Sequence, residues 1–248
     1  MPPVPAREAA TVMLIRDGAD GLEVFMVLRH DKMSFAAGAL VFPGGSVEPG
    51  EDTLVAAVRE TFEECGILLA RPIGQENLVT VTALKRIEQS WRTRLARGEA
   101  KLADMLSAET LSLATDRLVP FAHWITPEVQ PKRFDTRFFL AAAPDDQVGL
   151  HDGSESVDSL WIAPLEAVSQ AEAGRYKLVF ATQLNLLKLG RHTSVSQAMS
   201  AARASDVVTV MPVQEESPGD GTRHMRIPVE AGYGGDLFII RMPPASGA

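Results

Sequence analysis

The chain has a single cysteine, Cys65, in 248 residues, so no intrachain disulfide can brace it. A lone thiol at an apolar position of a helix pattern reads as an inert buried group and not as a nucleophile, and it is compatible with a reducing cytoplasm. A basic surplus is also missing: 24 Lys and Arg stand against 32 Asp and Glu, for a formal net charge of -8. That balance argues against a general nucleic-acid surface, because phosphate backbones are held by clustered Lys and Arg. No apolar run approaches the roughly 18 residues of a membrane-spanning helix. The opening MPPVPAREAA has no basic segment leading into an apolar one, so a signal peptide is not expected. Internal repeats are absent, and biased composition is confined to the proline-rich start and the tail PPASGA.

What is present is an ordinary globular composition, 46% hydrophobic and 23% charged, with length for one elaborated domain over 1–248. Apolar runs at 10–16 and 22–29, separated by Asp-Gly-Ala-Asp-Gly, predict a β-hairpin. Residues 39–42 predict a short strand delivered into Pro43-Gly44-Gly45. Apolar residues at helical spacing, Ile87, Trp91 and Leu95, then Leu102, Met105 and Leu106, predict two or three amphipathic helices inserted at about 74–120. They are expected to cap the sheet, with pocket closure or subunit pairing as the other possibility; a homodimer is compatible with this. A strand is expected at 137–143, and helices at 163–168, 178–189 and from the Ser194/Gln197 capping box to about Ala204. Short strand-like runs at 207–213, 225–228 and 237–242 predict a C-terminal β-ribbon within an extension of about 205–248.

The densest chemistry lies in residues 44–67, GGSVEPGEDTLVAAVRETFEECGI. Asp52 or Thr53 suits a helix N-cap, and Leu54, Val55, Val58, Phe62 and Cys65 then share an apolar side. Glu60, Glu63 and Glu64 fall at i, i+3 and i+4 on the opposite side, three carboxylates within one turn. Such neighbours repel unless a cation lies between them, and no lysine is spaced to support a solvated acidic helix. Oxygen donors of this kind suit magnesium or manganese better than zinc. The preceding glycine pair permits close backbone approach, and a carbonyl there could face the cation.

These residues resemble the Nudix box, GX5EX7REUXEEXGU with U apolar: Gly45, Glu51, Arg59, Glu60, Glu63, Glu64, Gly66 and Ile67 match. The departure is Thr61, whose hydroxyl can bond back to the Ala57 carbonyl. The resemblance implies an α/β fold, a Nudix-type α/β/α sandwich with a mixed sheet. It also implies metal ligation by Glu60 and Glu64, with Glu63 and the Gly44 carbonyl completing or bridging the site. Arg59 is expected to pair with Glu51 and, with Gly45, to support the site rather than touch substrate. Glu63, Glu64 and a later loop acid are the catalytic candidates. Nudix chains commonly carry an acid six or three residues before a tryptophan that opens a strand; before Trp161 these are Glu155, the first choice, and Asp158.

Further on, Lys132, Arg133 and Arg137 gather positive charge beside Trp124, Phe134, Phe138 and Phe139. Trp124, Arg133 and Lys132 are the substrate-binding candidates, while Phe138 and Phe139 are expected in the core. Gly38 followed by Phe42 to Gly45 is similar to the end of the motif that precedes the box in coenzyme A diphosphatases, with Ser34 where that motif has arginine. Trp124, Thr126, Pro127 and Arg133 to Phe139 resemble the peroxisomal coenzyme A diphosphatase-like branch of mammals. No Ser-Lys-Leu is present at the end, so a peroxisomal location is not carried over from that resemblance; the location expected is cytoplasmic. The function implied is metal-dependent hydrolysis of a diphosphate linking a nucleoside to another group, coenzyme A or an acyl derivative being the finer reading. Hydrolysis of ADP-ribose, NADH or a nucleotide sugar, or a catalytically silent nucleotide-binding module, are the alternatives.

Overall fold

The computed structural model describes residues 3–30, 36–147, 149, 156–216 and 221–241. Strands β1 (Arg7–Gly18) and β2 (Gly21–Arg29) form the expected hairpin, closing at Gly18 opposite Gly21. They pair only near the turn, from Ile15 opposite Val24 onward. Beyond that the two strands part, and the chain re-enters between them. β3 (Leu40–Val41) lies against β2, and β4 (Gly44–Ser46) lies against β1 at Ala9 to Thr11. The glycine turn of the acidic motif is thereby seated in the fork of a hairpin.

The far edge of β1 is filled by β8 (Phe134–Ala142), parallel and in register from Arg7 opposite Phe134 to Ile15 opposite Ala142. β7 (Val119–Ile125) runs antiparallel to β8, while β9 (Ser156–Ile162) covers the other edge of β2. With β10 (Thr209–Val210) parallel to β7, this makes an eight-stranded mixed sheet. Near-continuous apolar runs in β1 and β2 suit strands covered on both faces. Val12, Leu14, Phe25 and Val27 enter one core; Met13, Ile15, Val24 and Met26 enter the other.

The first core is closed by α1 (Thr53–Cys65) and by the insertion. Its stem is the antiparallel pair β5 (Ala70–Pro72) and β6 (Leu111–Leu113). Between them α2 (Val81–Ile87) passes through a π-helical turn, Glu88–Arg92, into α3 (Thr93–Ala96), followed by α4 (Leu102–Glu109). Ile87, Leu95, Leu102 and Met105 are buried, as their spacing predicts, in the same core as Val58 and Phe62 of α1. The second core is closed by α5 (Pro164–Glu172), α6 (Phe180–Leu189) and α7 (Val195–Arg203), completing an α/β/α sandwich.

The C-terminal region differs from expectation in one respect. The run at 207–213 divides at Met211-Pro212: β10 joins the main sheet, and β11 (Val213–Gln214) starts a separate three-stranded sheet with β12 (Thr222–Arg226) and β13 (Leu237–Arg241). Pro212 has no N–H to give a ladder, which suits the break.

Candidate active site

Asp52 caps α1, its side chain accepting the Leu54 N–H at 2.7 Å. Val58, Phe62 and Cys65 have no exposed surface, and the Thr61 hydroxyl donates to the Ala57 carbonyl at 2.7 Å, so a polar residue is accommodated inside the helix. The acids do not face open solvent. Glu64 is 6% exposed. The Gly44 N–H donates to its Oε2 at 2.9 Å, and the Arg29 Nη1 lies 4.0 Å from its Oε1. Glu60 packs on Gly45, where a Cβ would lie 2.5 Å from its carboxylate atoms. The glycines of β4 are thus pressed directly onto two of the three acids.

Arg59 pairs with Glu51, as expected. Its Nε and Nη2 donate to the two Glu51 oxygens, each at 2.9 Å, a bidentate geometry that holds the loop against the helix. The same guanidinium donates to the Ser46 carbonyl and to Glu60 Oε1, each at 2.9 Å, and lies 3.5 Å from Glu63 Oε2. Burial opposes its charge, but Glu51, Glu60 and Glu63 outweigh that and hold it above the ordinary arginine range. Burial pushes Glu63 up to about 7, with Arg59 opposing and Glu60 and Glu48 adding to the rise.

Glu60 and Glu64 open onto a cavity of about 740 Å³, within the range of small-molecule sites. These acids line it together with Gly44, Gly45 and Arg29, and Phe134, Phe138 and Phe180 add apolar surface. Lys132 and Arg223 also line it. Glu63 does not; it lines a second groove, of about 560 Å³, between α1 and the insertion, with Lys85, Glu88 and Arg92.

The other expected residues are placed unequally. Trp124 lines the cavity but is 5% exposed, its Nε1–H donating to the Tyr233 hydroxyl at 2.9 Å and its ring edge-on to Phe180 and Tyr233. It forms wall and core, not an open stacking platform. Arg133 is placed apart: its side chain is not among the residues lining this cavity, and it donates to the carbonyls of Thr126 at 3.0 Å and Val4 at 2.7 Å. Those backbone bonds occupy the fork that a phosphate would need. Lys132 is exposed at the cavity, its Nζ 5.5 Å from the centre of the Phe134 ring. Phe138 and Phe139 are buried. Asp158 is exposed on β9 and accepts the Ser159 N–H, while Glu155 and Ser34 lie outside the described residues. Two cations at the cavity escaped the sequence reading. Arg29 carries a signal in hindsight, since it ends the strand that leads to the motif. Arg223 carries none, lying in a stretch between two expected strands.

The family model of the NUDT19 Nudix domain matches residues 51–179, more than half of the chain. The chain belongs to this family. NUDT19-family relatives include the acyl-coenzyme A diphosphatase NUDT19 of Xenopus laevis, 31% identical over 159 residues that make up 60% of this chain and 41% of that protein. The protein of the same name from Gallus gallus is 30% identical over 149 residues, 52% of this chain and 38% of that one. The chain therefore spans less than half the length of either. A solved Nudix hydrolase from Alicyclobacillus acidocaldarius is similar at a TM-score of 0.68 and 29% identity, covering 79% of this chain and 96% of that one. The Nudix fold and the coenzyme A diphosphatase-like branch thus agree with the motifs read from the sequence.

Nudix hydrolases are generally dependent on a divalent cation, and the residues here fit one in part. Glu60 and Glu64 offer hard oxygen donors beside a glycine turn that leaves room for a carboxylate where a Cβ would intrude. In the arrangement described, Arg59 draws Glu60 and Glu63 to itself. Among the described residues no group of three His, Cys, Asp or Glu side chains already stands as a ready ligand set.

Proposed function

We propose that the chain hydrolyses the diphosphate of a nucleotide-linked substrate with magnesium or manganese, and that coenzyme A or an acyl-coenzyme A is that substrate. The observation that carries the chemistry is the joint opening of Glu60 and Glu64, with Gly44 and Gly45, onto one cavity. Glu60, Glu64 and the Gly44 carbonyl would hold the cation, with Glu63 as a further ligand. When bound, it supplies positive charge against the diphosphate and makes an attacking water more acidic. Arg59 and Glu51 hold the loop and helix in fixed relation, and the buried floor of Val58 and Phe62 keeps the ligand-bearing turn in place. Water adds to one phosphorus, and the other phosphate leaves with its substituent.

Three things support the finer substrate reading. The frog and chicken relatives are named acyl-coenzyme A diphosphatases. The cavity offers an apolar wall to a pantetheine or acyl arm. Lys132 and Arg223 supply cations in the same cavity for a phosphate apart from the diphosphate, in place of Arg133. Purified protein with magnesium or manganese, given coenzyme A, an acyl-coenzyme A, ADP-ribose, NADH and a nucleotide sugar, tests the whole reading. The expected products are 3',5'-ADP and a phosphopantetheine. Preference for ADP-ribose would overturn the substrate, and no turnover of any compound would leave a binding module.

A further inference from the structure

Gathering three glutamates near the end of a helix sets them against the helix dipole, whose C-terminal end is negative. The last four carbonyls of α1 also lack partners within the helix. Within α1, Arg59 offsets part of the charge of Glu60 and Glu63, but the last turn itself has no basic residue to face the dipole. The Gly66 N–H takes the Phe62 carbonyl at 2.9 Å in a left-handed cap, leaving the carbonyls of Glu63 and Glu64.

The insertion answers both. Arg92 donates from Nε to the Glu63 carbonyl at 2.9 Å and from Nη2 to the Glu64 carbonyl at 2.8 Å, while its Nη1 donates to Glu88 at 2.6 Å. The guanidinium is half-buried, 13% exposed in its side chain, and reaches the backbone of two of the acid-bearing residues themselves. It stands in the π-helical turn, whose wider winding shifts the residues beyond it relative to an α-helix, a feature frequent at functional sites. Gly66 gives it passage: a Cβ there would lie 2.7 Å from the Glu88 carboxylate and 3.0 Å from Arg92 Nη1. Fork geometry, supplied charge and a glycine opening meet at one point.

We propose that Arg92 is a positioning residue through which the helical insertion sets the cation affinity of the site. By fixing the backbone of Glu63 and Glu64, it holds the Glu64 carboxylate beneath the Gly44 N–H, and by its charge it lowers the cost of crowding the acids. This rests on the metal-dependent reading above. A lysine would keep the charge but lose the planar fork that serves two carbonyls and Glu88 together.

The test is titration of the full chain with Mn2+ in the absence of substrate, followed by calorimetry or by the spin-resonance signal of the free ion. Wild type, Arg92→Ala, Arg92→Lys and Arg94→Ala are compared, Arg94 being a neighbouring exposed cation that lies over Trp91. Arg92→Ala is expected to weaken Mn2+ binding about tenfold and Arg92→Lys by an intermediate factor, with Arg94→Ala unchanged. In turnover, the Mn2+ requirement should move by the same factor while KM for substrate at saturating Mn2+ stays within about twofold. Unchanged Mn2+ affinity in a folded Arg92→Ala protein overturns the inference, as does an equal loss in Arg94→Ala. Should Arg92→Ala fail to fold, Glu88→Ala, which removes the acceptor that orients Arg92, must show a smaller loss in the same direction. Wild type that binds no Mn2+ sinks the metal-dependent reading and this inference together, whereas unaltered binding in the variants sinks the inference alone.

Discussion

Glu64 commits one oxygen to the Gly44 N–H and turns the other toward Arg29. An amide at this position keeps an acceptor for Gly44 but loses the charge. Glu64→Gln should accordingly lower hydrolysis by at least about 100-fold, consistent with several kcal/mol of lost charge stabilisation. The melting temperature should move by only a few degrees; near-normal turnover at saturating magnesium would remove Glu64 from the site. Lys132 and Arg133, adjacent in sequence, should separate in the opposite way. Lys132→Ala is expected to raise KM for coenzyme A more than for dephospho-coenzyme A, with stability little changed. Arg133→Ala strips donors from two carbonyls and should cost about 1 to 3 kcal/mol in denaturant melts with little effect on KM. Equal KM changes from the two variants would reject this division. The Thr61 to Ala57 and Arg59 to Glu51 bonds were legible because both partners lie within one short segment, where helix geometry fixes the reach. Arg133 meets Val4 from 129 residues away in the sequence, and no local spacing encodes that contact.

At the level of elements, the start of α1 was legible: Asp52, one of the two N-cap candidates, caps it, while the left-handed close at Gly66 is a finding of the structure. The inserted helices were legible by their apolar period, and Ile87, Leu95 and Met105 are buried accordingly. The parting of β1 and β2 around β3 and β4 was not, because every strand involved reads locally as an ordinary apolar run. That fork makes a specific demand on Gly44. At φ +153°, a Cβ would lie 2.4 Å from the Ala10 carbonyl oxygen and 2.6 Å from the Thr11 Cα, both backbone atoms that cannot swing aside. Gly44→Ala should therefore lose about 2 kcal/mol or more of stability. Activity should fall with it, since the same residue positions Glu64. A thermal melt matching wild type would show that the fork can open to admit a methyl group.

Across the whole molecule, the cavity was the least legible feature, because its wall is assembled from β1, β4, α1, β8, α6 and the C-terminal sheet. Trp124, Tyr233 and Asn185 tie that last sheet's connection to the body. The indole donates to the tyrosine hydroxyl, which donates to Asn185 Oδ1 at 2.7 Å, all three being buried. Tyr233→Phe leaves two buried polar groups without this partner and is expected to cost about 1 to 3 kcal/mol, read by denaturant unfolding. A change under about 0.5 kcal/mol would mean the groups find other partners. The parallel seam of β1 and β8 has a consequence in time. A ribosome that has just made Ile15 must reach Ala142 before the seam can close, on the order of ten seconds at typical rates of synthesis. Throughout that interval an apolar strand keeps one edge open, a template for pairing with the wrong chain. The nascent protein should thus lean on chaperones that recognise its first strand, and stalling synthesis before Phe134 should yield aggregates instead of a soluble half-domain.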